Sequence, residues 1–456
     1  MRHIIVIGGG SGGTAAAIRA TQMGARVTLI EEADLGGHCT NRACVPLEAL
    51  QVTARLLRAL ADAGDHGIEI SQISFDLTQA MARKRRVVEE VRTGIKGLLI
   101  TNDIQFVEGT GRLVGPRSVE VDGQILEGDA IIVATGFVYV DPPIQGVEKA
   151  GWITPAEALS LAQAPPRFLV IGSEAPQIGL ASLFQSFGSQ VTIVESERRL
   201  LPGEDEEIRQ RLGLSFRDQG INTMVGATIS SIRPADDALI VMIVDRQGEQ
   251  ELTFDRVLAA ERAANIAGLG LERIGLSAED GHIRVNEGMQ TTVPTVYAVG
   301  DAAGGRFSYE ATAGGIVAAE NATGGRSRLD QQLVPRCIYG QPEVAAVGLT
   351  QEQAEAAGYE VKVTSMPLAM NARAIAMGIA GGAIKMVAEA KYGKILGVHI
   401  VGPWATELID QAVLAIRLEA LAEDVAEAVA GHPALAETRQ EAGRDLLGKA
   451  LYVPKW

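Results

Sequence analysis

The sequence predicts an α/β fold with two doubly wound, Rossmann-like nucleotide-binding domains and a carboxy-terminal α+β domain. Two segments, 4–32 and 168–196, each contain an apolar strand, a turn, an amphipathic helix and a second strand that ends in or beside an acid. This order is typical of the βαβ unit that opens a doubly wound sheet. From about Val334 the pattern changes to short strands and helices rich in Ala, Leu and Glu, which predicts a separate last domain.

The first of the two domains is predicted to be discontinuous in sequence. Proline pairs at 142–143 and 165–166 mark the passage from the first unit to the second. The stretch 291–305 contains a buried strand ending in Gly-Asp, which indicates that the chain returns to the first domain. We therefore expect a discontinuous first domain at 1–145 and 266–333, a second at 146–265, and a third at 334–456.

Composition excludes several classes of protein. The 456 residues include 56 acidic and 41 basic side chains, a formal net charge of −15 that argues against binding nucleic acid or an anionic membrane. Three cysteines cannot form a disulfide framework and suit a reducing compartment. The start shows no signal-peptide cleavage pattern, and no apolar stretch has bilayer-spanning length. We expect a soluble, cytoplasmic protein with no metal site.

The first turn carries a dinucleotide fingerprint. Gly8, Gly10 and Gly13 form GxGxxG between a strand and an Ala-rich helix, and Glu31 closes the next strand. The first glycine makes the tight turn, the second admits a pyrophosphate to the backbone, and the third lets helix and strand pack closely. The acid is placed to bind a ribose diol. This pattern predicts nucleotide binding rather than a structural glycine turn.

Two cysteines follow that unit directly. Cys39 and Cys44 lie in GGHCTNRACVPLEAL, and Pro46 suits the first turn of the helix that comes next. Both sulfurs are therefore expected near a helix amino terminus, where the dipole and free amides favour thiolate and lower the pKa of the pair. We interpret them as a reactive pair rather than as structural cysteines. Cys337 has no partner in the sequence and is expected in the core.

A histidine and a carboxylate lie five residues apart near the end of the chain. In GHPALAE, His432 precedes Glu437, and a carboxylate can hold an imidazole in the tautomer that exchanges protons with a thiol. Taken alone, the pattern fits a hydrogen-bonded surface histidine better than a catalytic one. The acid/base interpretation is favoured only because the chain also contains the cysteine pair.

Together these motifs resemble the flavin-dependent pyridine nucleotide-disulfide oxidoreductases, the group of dihydrolipoamide dehydrogenase, glutathione reductase and mercuric reductase. The resemblance spans almost the whole chain. It rests on GxGxxG, CxxxxC, the IIVATG ending at Gly136, the TVYAVGD ending at Asp301, the PEVAAVGLT after Pro342, and HPALAE.

The resemblance implies specific roles for these residues. FAD would be bound by Gly8, Gly10, Gly13, Glu31, Gly37, Thr135, Gly136 and Asp301. Cys44 would face the flavin, and Cys39 would be the interchange thiol that meets a dithiol or disulfide substrate, in one case a lipoyl group on a carrier protein. His432, oriented by Glu437, would act as acid/base across a homodimer interface formed by the third domain.

The second βαβ segment departs from the family pattern for NAD(P)H. Gly172 matches the first glycine, but Glu174 and Gln177 replace the second and third, and Pro176 removes an amide from the turn. The remaining departures are Gly179 in place of a nicotinamide-side glutamate and Glu261 in place of a glycine. Glu195, at the end of the next strand, is still placed for an adenosine ribose.

The acidic side chain at the second turn should repel the phosphates of NAD(P)H, and the size of this repulsion can be estimated. A carboxylate about 4 Å from a phosphate costs roughly 4 kcal/mol at an effective dielectric near 20, before solvent screening. We therefore expect weak, altered or absent NAD(P)H use; the alternative is an altered pocket that still works. Beside the flavin, Glu48 replaces a family lysine, which either lowers the flavin potential or leaves Glu48 turned into solvent. His38, next to Cys39, is either a second proton carrier or a bystander.

The leading hypothesis is an FAD-dependent dithiol/disulfide oxidoreductase most like dihydrolipoamide dehydrogenase. A mercuric reductase-like enzyme is one alternative, favoured by RFSYEATAGG around Tyr309 but lacking the carboxy-terminal cysteine pair of that branch. A non-catalytic FAD-binding subunit is the other. The identity of the thiol substrate, the direction of electron flow and the partner that replaces NAD(P)H stay open.

Overall fold

A computed structural model describes residues 1–379 and 381–452. Ala380 and residues 453–456 lie outside the described residues, and the latter are the end of the predicted third domain.

The helices are distributed along the whole chain. Their bounds are α1 (Ser11–Gln22), α2 (Gly37–Arg42), α3 (Cys44–Ala61), α4 (Leu77–Thr101), α5 (Val147–Ala150), α6 (Pro155–Ala158), α7 (Ala175–Ser186), α8 (Glu206–Asp218), α9 (Ser308–Ala322), α10 (Gln351–Ala356), α11 (Ala372–Ala376), α12 (Ala405–Arg417), α13 (Ala422–Glu427) and α14 (Ala436–Leu446). Short 3₁₀ turns cover Ala63–His66, Leu271–Ile274, Gly300–Ala303, Gln331–Leu333 and Leu368–Met370.

The strands are mostly short. Their bounds are β1 (His3–Ile7), β2 (Arg26–Glu31), β3 (Gln105–Glu108), β4 (Arg112–Gly115), β5 (Ser118–Val121), β6 (Gln124–Glu127), β7 (Ala130–Val133), β8 (Phe137–Tyr139), β9 (Arg167–Ile171), β10 (Gln190–Glu195), β11 (Asn222–Val225), β12 (Thr228–Ala235), β13 (Ala238–Asp245), β14 (Gly248–Phe254), β15 (Arg256–Leu258), β16 (Arg262–Ala264), β17 (Ala278–Glu279), β18 (His282–Ile283), β19 (Val296–Ala298), β20 (Arg336–Ile338), β21 (Glu343–Gly348), β22 (Val361–Pro367), β23 (Ala383–Glu389) and β24 (Ile395–Gly402).

The first compact unit comprises Met1–Pro142, Thr154–Gln163 and Ala260–Asp330. Its main sheet has the order β19-β7-β1-β2-β3, and all of its strand pairs are parallel. The position of β19 beside β7 confirms that the chain returns to the first sheet. The parallel strands are joined through helices, which is the α/β class that the sequence predicts.

Both faces of this sheet are covered, because side chains alternate along each strand. Ile4 and Val6 of β1 pack with the alanines of α1 and with α9. Ile5 and Ile7 face the opposite side and pack with residues of the antiparallel sheet β4-β5-β6. The near-continuous apolar run of β1 is therefore a consequence of burial on two faces. The small antiparallel pairs β8-β16 and β17-β18 complete the unit.

The second compact unit comprises Pro143–Ile153, Ala164–Ala259 and the described part of Gln331–Trp456. It contains a second parallel sheet, in the order β11-β10-β9-β15, and an antiparallel sheet β12-β13-β14. Its last part is the antiparallel sheet β20-β21-β24-β23-β22 with α10 to α14, which matches the predicted α+β character.

The division into units groups the chain more coarsely than the three predicted domains. Residues 154–163 and 260–265, which fall within the predicted second domain, lie in the first unit. The second and third predicted domains share one unit. The three-domain division and its boundaries stay predictions.

Candidate active site

The turn between β1 and α1 is built to bring a helix end close to an anion. Gly8 has a φ of +103°, and a Cβ on Gly13 would lie 1.8 Å from the Gly8 carbonyl oxygen, so no larger residue fits there. Gly10 is the N-cap of α1 and makes no side-chain capping hydrogen bond. Gly37 approaches the same point, since a Cβ on it would lie 2.8 Å from the Cα of Gly10. The first amides of α1 therefore remain available to a phosphate.

Glu31 is held at the end of β2 by two backbone amides. Gly9 donates to Oε2 at 2.6 Å and Ala33 donates to Oε1 at 2.8 Å, and the residue is 9% exposed. Each carboxylate oxygen keeps a lone pair that can accept from a ribose hydroxyl. The geometry therefore suits the role predicted for this acid.

Thr135, Gly136 and Asp301 are further residues predicted to bind FAD. The Thr135 hydroxyl is buried and has no hydrogen-bond partner among the described residues, so it is available to a ligand. Gly136 follows it with a φ of +73°. Asp301 lies in the 3₁₀ turn after β19 and pairs with Arg262 at 3.0 Å. Burial raises the pKa of Asp301, and Arg262 opposes that shift.

The two predicted redox cysteines lie at the junction of two helices. Cys39 is inside α2 and half-buried, whereas Cys44 is the exposed first residue of α3. Both are free thiols that hydrogen-bond to each other. The structure thus brings together the pair that the sequence spaced five residues apart.

The pKa values of the two thiols move in opposite directions. The pKa of Cys39 is lowered to about 6, first by the hydrogen bond from Cys44 and then, against burial, by the hydroxyls of Ser308 and Ser11. The pKa of Cys44 is raised, because its proton is shared with the Cys39 sulfur. The prediction that the whole pair is shifted downwards is therefore wrong for Cys44. A single negative charge on two adjacent sulfurs is the physical reason.

Two serines of the site were missed at the sequence level. Ser11 is the first residue of α1 and Ser308 is the first residue of α9. The Cys44 thiol lies 3.9 Å from the Ser308 hydroxyl, across 264 positions of sequence. A serine that opens a helix directly after a glycine-rich turn is the signal that could have identified Ser11. Nothing local to residues 306–310 points to a sulfur.

An aromatic cluster adjoins the cysteines. The His38 ring lies 4.4 Å from Phe137, which meets Tyr139 edge-on at 5.1 Å, and the Arg262 guanidinium stands 5.2 Å above Phe137. Burial, and then the positive charges of Arg42 and Arg262, lower the pKa of His38. His38 is therefore a neutral imidazole at neutral pH, packed into this cluster. No motif in the sequence identifies Phe137, Tyr139 or Arg262 as its neighbours.

Glu48 does not stand alone beside the cysteines. Its carboxylate forms an ion pair with Arg55 on the same helix, α3, and both side chains are about half exposed. Of the two expectations for Glu48, an outward orientation is the one this contact favours.

The second βαβ turn has the backbone of the first but different side chains. Gly172 has a φ of +79°, and Glu174 is the N-cap of α7. The Ser173 hydroxyl donates to Glu195 at 2.5 Å and accepts from the amide of Leu201 at 2.9 Å. Glu195 also accepts from an amide two residues on, so it is engaged within the protein from several sides. Gly179 is buried in α7.

Gln177 fills the space next to this turn. It is 6% exposed, its amide nitrogen donates to the Ile171 carbonyl at 3.3 Å, and its amide oxygen has no hydrogen-bond partner among the described residues. Pro176 lies in the first turn of α7 and offers no amide. Glu261, in the first unit, is exposed and its carbonyl accepts from Val140 at 3.0 Å.

His432 and Glu437 form the predicted pair in the second unit. Nδ1 of His432 lies 2.9 Å from Oε1 of Glu437, whose other oxygen accepts from the Ala434 amide at 2.8 Å. These two contacts lower the pKa of Glu437, the amide more than the imidazole. The His432 side chain is 71% exposed. A carboxylate that holds Nδ1–H leaves Nε2 free to exchange a proton.

No helix within residues 1–379 and 381–452 has both the length and the apolar character that crossing a bilayer requires.

A dinucleotide turn, a buried acid and an adjacent thiol pair define the class of redox enzymes that bind a dinucleotide cofactor. Comparison with known proteins gives the particular family. Residues 2–325 match the family model described as "pyridine nucleotide-disulphide oxidoreductase", and residues 334–443 match the model of that family's dimerisation domain. The chain belongs to this family. It is an FAD-dependent disulfide oxidoreductase.

Relatives extend over the full length. The chain is 35% identical to a dihydrolipoyl dehydrogenase of Zymomonas mobilis, with 98% of each chain covered. It is 36% identical to that of Thermus scotoductus, over 99% of this chain and 98% of the relative. Among solved structures, LpdA from Mycobacterium tuberculosis superimposes with a TM-score of 0.90 at 26% identity, over 98% of this chain and all of that one. The HOCl-induced flavoprotein disulfide reductase RclA from Escherichia coli gives 0.86 at 26% identity, covering 97% and 99%.

Proposed function

We propose that Cys39 and Cys44 are the redox-active pair of this enzyme and that Cys39 is the sulfur that meets the substrate. The observation that carries the proposal is the pair's shared hydrogen bond, which leaves the negative charge on Cys39. At neutral pH a thiol with a pKa of about 6 is largely thiolate, the form that attacks disulfides.

The exchange balances in two steps. The Cys39 thiolate attacks one sulfur of a substrate disulfide, a mixed disulfide forms, and the other substrate sulfur leaves and takes a proton. Cys44 then loses its proton and attacks Cys39, so that the Cys39–Cys44 disulfide forms and the second substrate thiol is released. The substrate gains two electrons and the pair loses two; the reverse sequence oxidises a dithiol. FAD, when bound, supplies the two-electron chemistry that resets the pair.

We assign the cofactor-binding roles to the first unit. The uncapped start of α1 at Gly10 would receive the pyrophosphate, with Gly8, Gly13 and Gly37 allowing the approach. Glu31 would bind the ribose. The partnerless Thr135 hydroxyl, Gly136 and the Asp301 carboxylate would contact the flavin end.

His432 is proposed as the acid/base of the thiol exchange, with Glu437 as its positioning residue. The match of residues 334–443 to a dimerisation domain supports a homodimer in which His432 of one subunit serves the cysteine pair of the other. The exposed side chain of His432 and its contact with Glu437, whose pKa is lowered, support proton transfer at this residue. The cytoplasmic location stays a prediction.

The substrate is proposed to be a dithiol or disulfide, and specifically a lipoyl group on a carrier protein. Support comes from the dihydrolipoyl dehydrogenases that match this chain over nearly their full length. Flavin reduction should be compared with dihydrolipoamide and with glutathione as donors. Cys44→Ser should lower the rate of flavin reduction by a dithiol at least about a thousandfold and leave the amount of bound flavin unchanged. An undiminished rate would contradict the assignment of Cys39 and Cys44 as the redox-active pair. A non-catalytic subunit would show no such turnover in either form.

Pyridine nucleotide use is proposed to be weak, altered or absent. The buried Gln177 beside Gly172, the carboxylate of Glu174 at the start of α7, and Pro176 all stand where the family pattern places open backbone. The purified enzyme should be titrated anaerobically with NADH and with NADPH. We expect slow or incomplete loss of flavin absorbance, and prompt stoichiometric reduction at micromolar nucleotide would refute this part of the proposal.

A further inference from the structure

A single row of side chains crosses the whole five-stranded antiparallel sheet of the second unit. Directly opposed residues of neighbouring antiparallel strands point to the same face of a sheet. The register places one residue from each strand in line, and in the strand order β20-β21-β24-β23-β22 these are Arg336, Ala346, His399, Lys385 and Ser365. Thr364 points to the opposite face, where it donates to Asp445 of α14 at 2.7 Å. The row therefore lies on the face away from α14.

Two acids at the start of α8 pair with the two cations of this row. The Glu204 carboxylate accepts from the Arg336 guanidinium at 2.6 and 3.1 Å, and Asp205 forms an ion pair with Lys385 at 2.7 Å. The side chains of Glu204, Asp205 and Lys385 are 8%, 0% and 9% exposed. Charges this far from water are tolerated only when they are paired. One short segment is thus tied to β20 and to β23, which two other strands separate in the sheet.

The other polar residues of the row are neutral. The Ser365 hydroxyl donates to Glu207 of α8 at 2.6 Å. His399 is buried, and its Nε2 lies 3.0 Å from the Leu349 carbonyl oxygen, so Nε2 carries the proton. Burial lowers the pKa of His399, which keeps the ring uncharged at pH 7. The two cations of the row are therefore matched by two acids of the facing segment.

Asp205 also determines where α8 begins. As the N-cap of α8, it accepts at Oδ1 from the amides of Glu207 and Ile208, at 3.0 and 3.5 Å, while Oδ2 is the atom that faces Lys385. Capping orients the carboxylate. The same residue therefore starts a helix of one segment and directs a negative charge at a strand of another.

We propose that Glu204, Asp205, Arg336 and Lys385 form a clasp that joins segment 164–259 to the described part of segment 331–456, so that the two move as one body. The clasp accounts for the presence of both segments in one compact unit. A buried charge that loses its partner is strongly destabilising, so the paired arrangement is favoured over any in which the segments slide or separate. The second βαβ turn, which lies in segment 164–259, is then held at a fixed position over the sheet.

Three variants of the flavin-bound protein test the clasp. Lys385→Met removes one cation with little change in side-chain length. Asp205→Asn removes the opposing charge and keeps an oxygen that can cap α8. The third variant combines the two changes. Hydrogen exchange read by mass spectrometry is followed in α8, in β23 and, as an internal reference, in α1 of the first unit.

Each single variant should loosen the element that it does not alter. We expect Lys385→Met to speed exchange in α8, and Asp205→Asn to speed exchange in β23, by about tenfold or more, because a buried charge is left unpaired. The double variant leaves no unpaired charge at this pair, so its exchange should be slower than the product of the two single effects requires. Exchange in α1 should stay unchanged.

Lys394→Met is the matched control. It makes the same substitution in the same unit, but the ion pair that it breaks, with Glu419, has side chains that are 41% and 74% exposed. Exposed pairs contribute little to stability, so exchange in α8 should not change.

Faster exchange confined to the element that carries the substitution would overturn the clasp, and so would single effects that simply multiply in the double variant. If Lys385→Met does not fold, Arg336→Met removes the more exposed cation of the row. Unchanged exchange in α8 of that variant would overturn the proposal equally. The measurement uses no thiol substrate, so its result is independent of the proposed redox function.

Discussion

The two parallel βαβ units of this chain have nearly the same backbone and different chemistry. Helices α1 and α7 are both 12 residues long, and their N-cap residues, Gly10 and Glu174, have φ/ψ of −73°/−168° and −72°/177°. Even the strand starts correspond: Asp129 accepts the amide of His3 at 2.8 Å, and Asp255 accepts that of Arg167 at 2.7 Å. The two βαβ units therefore share their helix length, the backbone angles of the N-cap and a hydrogen bond at the start of the first strand.

The two turns differ in the side chains that lie near the start of the following helix. In the first unit the backbone amide of Gly9 donates to Glu31, and the N-cap Gly10 has no side chain at the start of α1. In the second unit a serine side chain holds Glu195, and the buried Gln177 packs next to the turn. A dinucleotide-binding fold can therefore keep its backbone while the side chains at its phosphate-binding turn differ.

The largest contrast is expected at the third position of each turn. Gly13→Ala places a methyl group within 1.8 Å of the Gly8 oxygen, so α1 must move away from β1. We expect a loss of about 3 kcal/mol in the free energy of unfolding and loss of bound flavin. Gln177→Ala is the matched change and should alter stability by less than about 1 kcal/mol. Chemical denaturation measures the stability of both variants, and the flavin-to-protein absorbance ratio measures their bound flavin. Equal losses in the two variants would contradict the expected difference between the two turns.

The next largest difference is expected between Glu31 and Glu195, the acids at the ends of β2 and β10. Glu31→Gln and Glu195→Gln each replace an acceptor of two or more hydrogen bonds by a group with one acceptor oxygen. Each should cost about 2 kcal/mol of stability. Only Glu31→Gln should also weaken flavin binding, read from flavin release on dilution. Flavin loss in the Glu195 variant, or none in the Glu31 variant, would contradict the assignment of one cofactor to the first turn.

Restoring glycines to the second turn should improve nucleotide binding. The double variant Glu174→Gly, Gln177→Gly removes one exposed carboxylate and one buried side chain from the start of α7. We expect roughly tenfold tighter NADH, since solvent screening reduces the repulsion of about 4 kcal/mol estimated for a 4 Å contact. Glu148→Gln, elsewhere in the second unit, controls for net charge. No gain in affinity by fluorescence titration would show that another feature limits binding.

The smallest effect concerns the matched aspartates at the strand starts. The Arg167 side chain and amide lower the pKa of Asp255, and the His3 amide is the first cause that lowers that of Asp129. A depressed carboxyl pKa stabilises the fold above the unfolded value near 3.8, and that stability is lost as the pH falls below it. Asp255→Asn should cost about 1 kcal/mol at pH 7 and progressively less below pH 4. An acid-melting curve unchanged from the wild type would contradict this.

Much of the architecture was accessible from local sequence. The apolar strands, the glycine spacing and the CxxxxC motif lie within short segments, so the first turn, α3 and the return of β19 could be predicted. The Cys44–Ser308 contact spans 264 positions and carries no local pattern. The opposite pKa shifts of Cys39 and Cys44 arise first from the hydrogen bond between the two thiols, and this contact requires coordinates. The position of Gln177 beside Gly172 likewise follows from side-chain packing that the motif alone does not define.

The crossing of α1 and α9 has a consequence for the sulfurs. A Cβ on Gly315 would lie 2.2 Å from the Gly12 carbonyl oxygen, so the two helices touch through bare backbone. Their first residues, Ser11 and Ser308, are the hydroxyls that reach Cys39. Any larger residue at Gly315 would wedge the helices apart about two turns from the thiol. The close approach at Gly315 therefore helps to place the two hydroxyls that lower the pKa of Cys39 in addition to the hydrogen bond from Cys44.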